Sequence, residues 1–474
     1  MDPFDSRGDL DDVLRLVAAE ATRYLAGLDD RPVREPGADE HLKAFNGSLP
    51  EQGEGTLAPL RDLLTHGIDA ATHSAGPRFF HFVIGGVTPA ALGADWITSL
   101  IDQNAGLWDA SPLGSTLESL SIGWLLDLFA LPSEWSGALT KSATLANFAA
   151  LGCARAWWAD RHGVDVNEHG FEGLPRVPVL SSGYIHASAR KAIAMLGIGR
   201  ASIRTFAADG TGRLDVEAMR AALDALDGAP AIIVGNAGEV NAGDFDPLDA
   251  MADLAERYDA WLHVDGAFGL FTRLAPEARG LSAGIDRADS VITDGHKWLN
   301  VPYDCGIAFL KDPSWMPKVY ALPGAAYLPG PDDPHPNYGF LMPDSSRRAR
   351  ALTVYATLRA YGRDGHRSYV ERHLAISRHL GERIEREDRF ELLAPVVSNI
   401  VCFRYRPPSL DEAALNDLNA RLGKAVLEDG RVFVGTTTYD GRVAFRPAVV
   451  NYRTTQQHVD ELVDVIAELG AQLM

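Results

Sequence analysis

The sequence predicts an α/β fold: a mostly parallel sheet with helices on both faces, a helical segment before it and a small α+β domain after it. Three observations carry this. Short apolar runs recur at regular intervals from about Ala138. Helical patterns separate several of them, and such alternation builds a largely parallel sheet covered on both sides. The rhythm then breaks in a proline-rich stretch around 323–343. After a long helical region it resumes as shorter strand-like runs and helices.

Taken in order, residues 9–28 form an amphipathic pattern in which Leu10, Val13, Leu14, Val17, Ala21, Tyr24, Leu25 and Leu28 share one face. Asp9 is placed to cap this helix, and Asp12 suits the positive end of its dipole. A turn-rich linker follows to about Gly55, so the apolar stripe must dock elsewhere, on a partner subunit or on its own domain. Residues 77–89 set an apolar run before Gly85-Gly86, either lining a pocket or turning a corner.

The expected strands of the large sheet are Val177–Ser181, Ser202–Phe206, Ala231–Gly235, Trp261–Asp265, Ser290–Thr293 and Gly306–Leu310. Helical patterns lie at His186–Leu196, Val216–Leu226 and Pro247–Tyr258, the last with Pro247 in its first turn and Asp246 as its cap. Beyond the proline-rich loop, Arg347-Arg-Ala-Arg350 opens a helical region running to about Arg386. The final part alternates strands (Asn399–Tyr405, Val432–Val434, Arg442–Asn451) with helices. Three domains follow from this: 1–75, 76–360 and 361–474.

Composition narrows the function. The 474-residue chain carries a formal charge of -20, which argues against nucleic acid or an anionic membrane as partner. Three separated cysteines with no CxxC pair fit a reducing compartment without disulfides or structural zinc. The acidic N-terminus does not resemble a signal peptide, and no apolar run reaches the ~18 residues that span a bilayer. A cytoplasmic protein is expected.

The chemistry concentrates between His263 and Asn300. One apolar strand delivers Asp265 at its carboxyl end, and the next delivers His296 and Lys297. Ligands of open α/β sheets bind outside the carboxyl ends of the strands. A buried carboxylate needs a cationic partner, and a lysine desolvated at such a site can form an imine. Together they suggest a pyridoxal phosphate (PLP) site, with the acid on the pyridinium nitrogen. Thr140–Asn147 precedes a helical pattern, where hydroxyls and free backbone N–H groups make an anion site. His186 opens another helix, where it could stack on a flat ring or simply cap. Asp209-Gly-Thr-Gly-Arg-Leu-Asp215 lacks the acidic pattern of a calcium loop, and the histidines show no zinc spacing, so no metal is expected.

With these residues placed, the chain resembles the group II PLP-dependent amino acid decarboxylases, the family of the aromatic amino acid and glutamate decarboxylases. The ordered pair His263-Val-Asp265 and His296-Lys297-Trp298 carries the resemblance. It implies the fold type I architecture of PLP-dependent transferases, with a seven-stranded sheet, and a cytoplasmic homodimer with shared active sites and an intertwined N-terminal segment. Residue by residue, it implies Lys297 as the Schiff-base lysine, Asp265 as the pyridinium partner and His186 as the ring-stacking histidine. Ala143, Thr144 and His296 match the phosphate-binding residues. Tyr327 matches the loop tyrosine that protonates the substrate carbon. Asn241 joins the expected cofactor set, and Phe82, Asn104, Gly106 and Trp108 the expected substrate pocket. The expected reaction is decarboxylation of an L-amino acid to its amine. The alternatives are oxygen-dependent decarboxylation–deamination to an aldehyde, another lyase or aminotransferase activity, or a non-catalytic PLP-fold subunit.

The chain departs from the family pattern in places. Lys141, Ser142 and Leu145 stand where glycines and an acid are usual in the phosphate turn, and Gly238-Glu-Val replaces Gly-Thr-Thr. Asn104 and Gly106 replace bulkier apolar residues, which argues against a pocket shaped for a large aromatic ring.

Overall fold

The computed structural model describes residues 2–321, 328–330 and 333–474. Tyr327, in the proline-rich loop, lies outside the described residues.

Helix α1 (Leu10–Gly27) forms where the periodicity places it, but none of its residues is buried. Asp9 does not cap it. A 3₁₀ turn, Asp5–Asp9, runs directly into the helix, so Asp9 is already helical (φ -81°, ψ -10°) and its side chain makes no cap bond. Helices α2 (Pro89–Ile101) and α3 (Pro112–Leu128) both start on proline, which sits without strain in a first turn. The sequence reading left both undefined. The buried face of α2 consists of Ala91, Ala94 and Thr98, too small to give a hydrophobic rhythm.

The large sheet follows: β1 (Ser136–Thr140), α4 (Ala143–Asp160), β2 (Val179–Ser181), α5 (Ala187–Met195), β3 (Ile203–Thr205), α6 (Val216–Asp224), β4 (Ile232–Asn236), α7 (Leu248–Arg257), β5 (Trp261–Asp265), β6 (Ser290–Asp294) and β7 (Gly306–Leu310). Its seven strands lie in the order β1-β7-β6-β5-β4-β2-β3. Only β7 runs against its neighbours, pairing antiparallel with both β1 and β6. The strand missed in the sequence, β1, reads Ser-Gly-Ala-Leu-Thr and carries little β-branched bulk. Side chains alternate between faces, so Trp261, His263 and Asp265 share the face covered by α4, while Leu262 and Val264 pack in the opposite apolar layer.

Asp246 is not the cap of α7, whose side chain-capping position is empty at Pro247. Its Oδ2 instead accepts from the Asn236 backbone (2.8 Å), the Asn236 amide (2.8 Å) and the Ser182 hydroxyl (3.0 Å), tying the ends of β2 and β4 together.

Helix α8 (Ala351–Glu385) spans the expected helical region but kinks at Gly362, where φ is 59°. The last part holds β8 (Phe390–Leu392), β9 (Phe403–Tyr405), α9 (Glu412–Asp429), β10 (Thr436–Tyr439), β11 (Arg442–Phe445) and α10 (Gln456–Gln472). Its antiparallel sheet runs β10-β11-β9-β8. The expected strand Val432–Val434 is not part of it: Phe433 pairs with the N-terminal segment, accepting from Phe80 N and donating to Arg78 O. The expected strand from Arg442 stops at Phe445, just before Pro447, which has no N–H to donate. Among the described residues, no helix is long and apolar enough to cross a membrane.

Candidate active site

The carboxyl ends of β4, β5 and β6 lie side by side, with Asn236 opposite Asp265 and Asp265 opposite Ile292. Past β6 the chain makes one wide helical turn, Gly295–Leu299, and stops at Asn300 in the left-handed conformation (φ 57°). Lys297 lies in this turn with its side chain 15% exposed. Its Nζ is 3.3 Å from Asp294 Oδ2 and 5.8 Å from the centre of the Phe268 ring.

His296, beside it, receives the Cys305 backbone N–H on Nδ1 (3.3 Å) and sets Nε2 3.4 Å from Asp294 Oδ2. Burial lowers its pKa against the pull of Asp294. A neutral ring that accepts at Nδ1 carries its proton on Nε2, toward the acid. Its face stacks on Tyr303, with ring centres 4.2 Å apart.

Asp265 accepts from the Asn147 amide at Oδ2 (2.9 Å) and from Ala267 N at Oδ1 (3.2 Å). His186 takes the capping role, one of the two the sequence allowed. As N-cap of α5 it accepts Ser188 N (3.2 Å), and burial lowers its pKa within electrostatic reach of Asp265, Lys297, Arg446 and Asp294. Lys297, Asp265, His186 and His296 therefore converge on one site.

Ala143 and Thr144 are the first two residues of α4, behind the capping Ser142, whose Oγ accepts Leu145 N at 3.4 Å. This helix start abuts β7: a side chain on Gly306 would come within 2.4 Å of the Ser142 carbonyl carbon.

The corner at 81–86 is built against the lysine turn. Gly85 N donates to His296 O (3.1 Å), and a Cβ on Gly85 would sit 1.8 Å from Lys297 O. Phe82 and Val83 both have positive φ (56° and 58°), strained for non-glycine residues, and Phe82 stays 59% exposed. Asn104, Gly106 and Trp108 lie apart from this corner, along 335–348. Asn104 Oδ1 accepts Gly106 N (3.1 Å) and Arg347 N (2.9 Å). Gly106 passes so close to Ser345 that a Cβ would lie 1.9 Å from its carbonyl oxygen. Trp108 stacks on His335, with ring centres 4.4 Å apart, and its backbone N–H donates to Asn337 Oδ1 (2.9 Å). Asn241 is tied to the small domain, its Oδ1 accepting the Thr437 hydroxyl at 2.6 Å.

Several site residues escaped the sequence reading. Asp294 is buried, with Oδ2 beside Lys297 and Oδ1 without a hydrogen-bond partner among the described residues; an acid three residues before a strand-end lysine was the available signal. Glu239, in the departure from Gly-Thr-Thr, is buried and accepts Asn241 N (2.7 Å) and Ala242 N, so it braces its own loop. Burial raises its pKa. Arg446 donates to Val240 O (3.0 Å), and burial lowers its pKa while Glu239 opposes the shift. Nothing local in the sequence marks it.

The geometry fits PLP: a half-buried amine, a hydrogen-bonded carboxylate, an imidazole within reach of both, and a capped helix start. The comparisons agree. The model of the pyridoxal-dependent decarboxylase conserved domain matches residues 39–406. L-2,4-diaminobutyrate decarboxylase of Rhizobium meliloti (strain 1021) is 32% identical over 438 residues, covering 90% of this chain and 84% of that protein. Phenylacetaldehyde synthase of Petunia hybrida is 27% identical over 473 residues, covering 95% of this chain and 92% of that protein. The solved structure of Oryza sativa TDC with PLP and tryptamine superposes with a TM-score of 0.90 at 25% identity over 99% of each chain. The match across most of the chain, with the fold and the lysine site in agreement, makes this protein a member of the group II pyridoxal-dependent decarboxylases, a PLP-dependent carboxy-lyase that converts an amino acid to its amine and CO2.

Proposed function

We propose that Lys297 holds the cofactor covalently, Asp265 pairs with its ring nitrogen and His186 stacks on the ring. The start of α4, through Ala143 and Thr144, holds the phosphate together with His296, and Asn241 completes the loop around the site. The observation that carries this reading is the convergence of Lys297, Asp265 and His186 at the carboxyl ends of β5 and β6.

Bound PLP supplies an electron sink for the pair left on Cα when CO2 departs. The protein's own residues do the rest. Asp265, an acceptor fixed by two hydrogen bonds, keeps the ring nitrogen protonated and the sink strong. The amine of Lys297 would hold the cofactor and give way to the incoming amino acid's amine. Tyr327, in the sequence between β7 and α8, is the group that would deliver the proton to Cα with water excluded. Protonation there gives amine. The aldehyde outcome is the second reading, favoured by the Petunia relative named above.

Phe82, Asn104, Gly106 and Trp108 form the substrate pocket across two subunits of a cytoplasmic homodimer. The unpaired apolar face of α2 and α3 supports the dimer: Trp96, Ile97, Leu100, Leu113 and Leu120 are all exposed. The division into 1–75, 76–360 and 361–474 stands as part of this reading, with the Gly362 kink beside its second boundary.

Visible absorbance of the purified protein, with CO2, amine, aldehyde and peroxide measured across aromatic, acidic and diamino acids, tests this. Lys297→Ala is expected to lose the bound-cofactor absorbance, and an unchanged spectrum overturns the assignment. Tyr327→Phe is expected to shift product from amine toward aldehyde and peroxide; an unchanged amine yield removes Tyr327 from its role.

A further inference from the structure

Beneath the site runs a chain of buried polar side chains that ends on Asp265 and His186. The Trp261 indole N–H donates to Ser290 Oγ (2.9 Å), and Ser290 Oγ lies 2.9 Å from His263 Nδ1. His263 Nε2 lies 2.8 Å from Asn147 Oδ1. The Asn147 amide nitrogen reaches Asp265 Oδ2 (2.9 Å) and Ser188 Oγ (3.3 Å), and Ser188 Oγ reaches His186 Nδ1 (2.7 Å). Trp261, His263, Ser290 and Asn147 are all buried.

The direction of every bond follows from the two ends. An ionised Asp265 only accepts, so the nitrogen of Asn147 must face it and the oxygen must face His263. That oxygen needs a donor, which places the His263 proton on Nε2. His263 is neutral, because burial pushes its pKa down to about 4, so its Nδ1 is bare and takes the Ser290 O–H. The Ser290 oxygen is then free to accept from Trp261. Each N–H and O–H in this branch then has its own acceptor.

The other branch is equally determined. The Ser188 backbone N–H donates to His186 Nδ1 (3.2 Å), so that nitrogen is bare. Its hydroxyl proton points the same way, and its oxygen accepts the second N–H of Asn147. The His186 proton therefore sits on Nε2, which has no hydrogen-bond partner among the described residues. Both branches pass through one amide.

Resting on the cofactor reading above, we infer that Asn147 is a positioning residue whose single side chain fixes the Asp265 carboxylate and, by orienting the Ser188 hydroxyl, adds to the 3.2 Å Ser188 backbone contact the second donor that His186 Nδ1 needs, so that His186 meets its ligand as an Nε2–H donor and not as a base. The coupling is directional. Turning the Asn147 amide over would set its oxygen against the Asp265 carboxylate and release Ser188 and His186 together.

Two variants separate the branches. Asn147→Leu keeps the approximate volume and removes both contacts, while Ser188→Ala removes only the branch to His186. Histidine nitrogen NMR on ¹⁵N-His protein, with and without PLP, reads the tautomer, and His186→Gln identifies the resonance. Equilibrium PLP binding and the pH dependence of the bound-cofactor absorbance read the Asp265 branch. Asn147→Leu is expected to weaken PLP binding about tenfold or more, to shift that pH profile, and to convert His186 from pure Nε2–H to a mixture. Ser188→Ala is expected to change the tautomer alone. If Asn147→Leu does not fold, Ser188→Ala still decides the His186 branch.

An Nδ1–H His186 in the parent protein, or a pure Nε2–H signal in either folded variant, overturns the inference. So does a cofactor pH profile in Asn147→Leu identical to the parent's. A parent protein that binds no PLP would overturn the cofactor reading instead, since the tautomer is also read without PLP.

Discussion

The side-chain oxygen of Asn300 accepts the backbone N–H of Gly86 at 2.8 Å, and the same oxygen accepts Tyr452 N at 3.0 Å. Its amide nitrogen donates to Trp298 O (2.9 Å) and Val450 O (3.0 Å). One buried amide with all four positions used thus joins the lysine turn, the corner at 81–86 and the C-terminal domain. Asn300→Ala is expected to cost roughly 2–4 kcal/mol in denaturant unfolding and to weaken cofactor retention. Asn300→Asp, nearly the same shape, is expected to be no milder, because an oxygen would then face two carbonyls. An aspartate variant as stable as the parent would contradict this bonding.

Glu118 and Arg347 form an ion pair with side chains 2% and 1% exposed, 2.7 Å apart. Glu118 also accepts Leu139 N (2.8 Å), and Arg347 donates to Ala105 O (3.2 Å), so the pair links α3, β1 and the segment after the loop. Glu118→Ala strands a buried guanidinium and is expected to cost about 3–5 kcal/mol. Pairing Glu118→Leu with Arg347→Met removes both charges and is expected to recover much of that loss in thermal or urea melts.

Acid should weaken the fold before the carboxylates titrate. Burial pushes the pKa of His263 to about 4 and that of His373 to about 3, from an ordinary 6.5. As pH falls below 6.5 the unfolded chain takes up protons at these positions and the folded chain does not. Stability contributed by the neutral rings is complete above 6.5 and is lost toward pH 4, at roughly 1.4 kcal/mol per pH unit for each ring. His373 accepts the Trp298 indole N–H (2.8 Å), so His373→Gln can keep that bond while removing the titration. The variant is expected to flatten the slope of urea midpoint against pH, and an unchanged slope would dismiss His373 as a contributor.

The exposed face of α2 gives the proposed dimer a direct test. Leu100 is 73% exposed beside Trp96 and Ile97. Leu100→Asp places a charge in that face without touching the monomer's core, and is expected to yield a folded monomer by light scattering on a sizing column. A dimer of unchanged stability would move the interface elsewhere.

Much of this was legible in the chain. Lys297 and Asp265 announced themselves because a charged group at the end of an apolar strand needs a partner. Asn147 and Ser290 did not, since each looks like an ordinary polar residue until the sheet brings them together. The available signal was the alternation in β5: Trp261, His263 and Asp265 must share a face, and a buried histidine between them has to be answered from the covering helix. Arg446 and Asn300 act across 206 and 214 positions of sequence respectively, to Val240 and Gly86, a separation no local pattern records. Asp9 and Asp246 misled for the opposite reason, as good capping residues whose backbones were committed elsewhere.

The reversed strand β7 has a further consequence. Asp294 and Gly306 face each other across the β6–β7 pairing, so the excursion carrying Lys297 leaves and re-enters the sheet at one place. It is a loop closed at its neck, and Gly295 N to Cys305 O is one of its bolts (2.9 Å). The segment bearing the amine is therefore clamped at both ends, at its neck by this pairing and at its tip by Asn300, which holds the amine in place relative to the β5 end that carries Asp265.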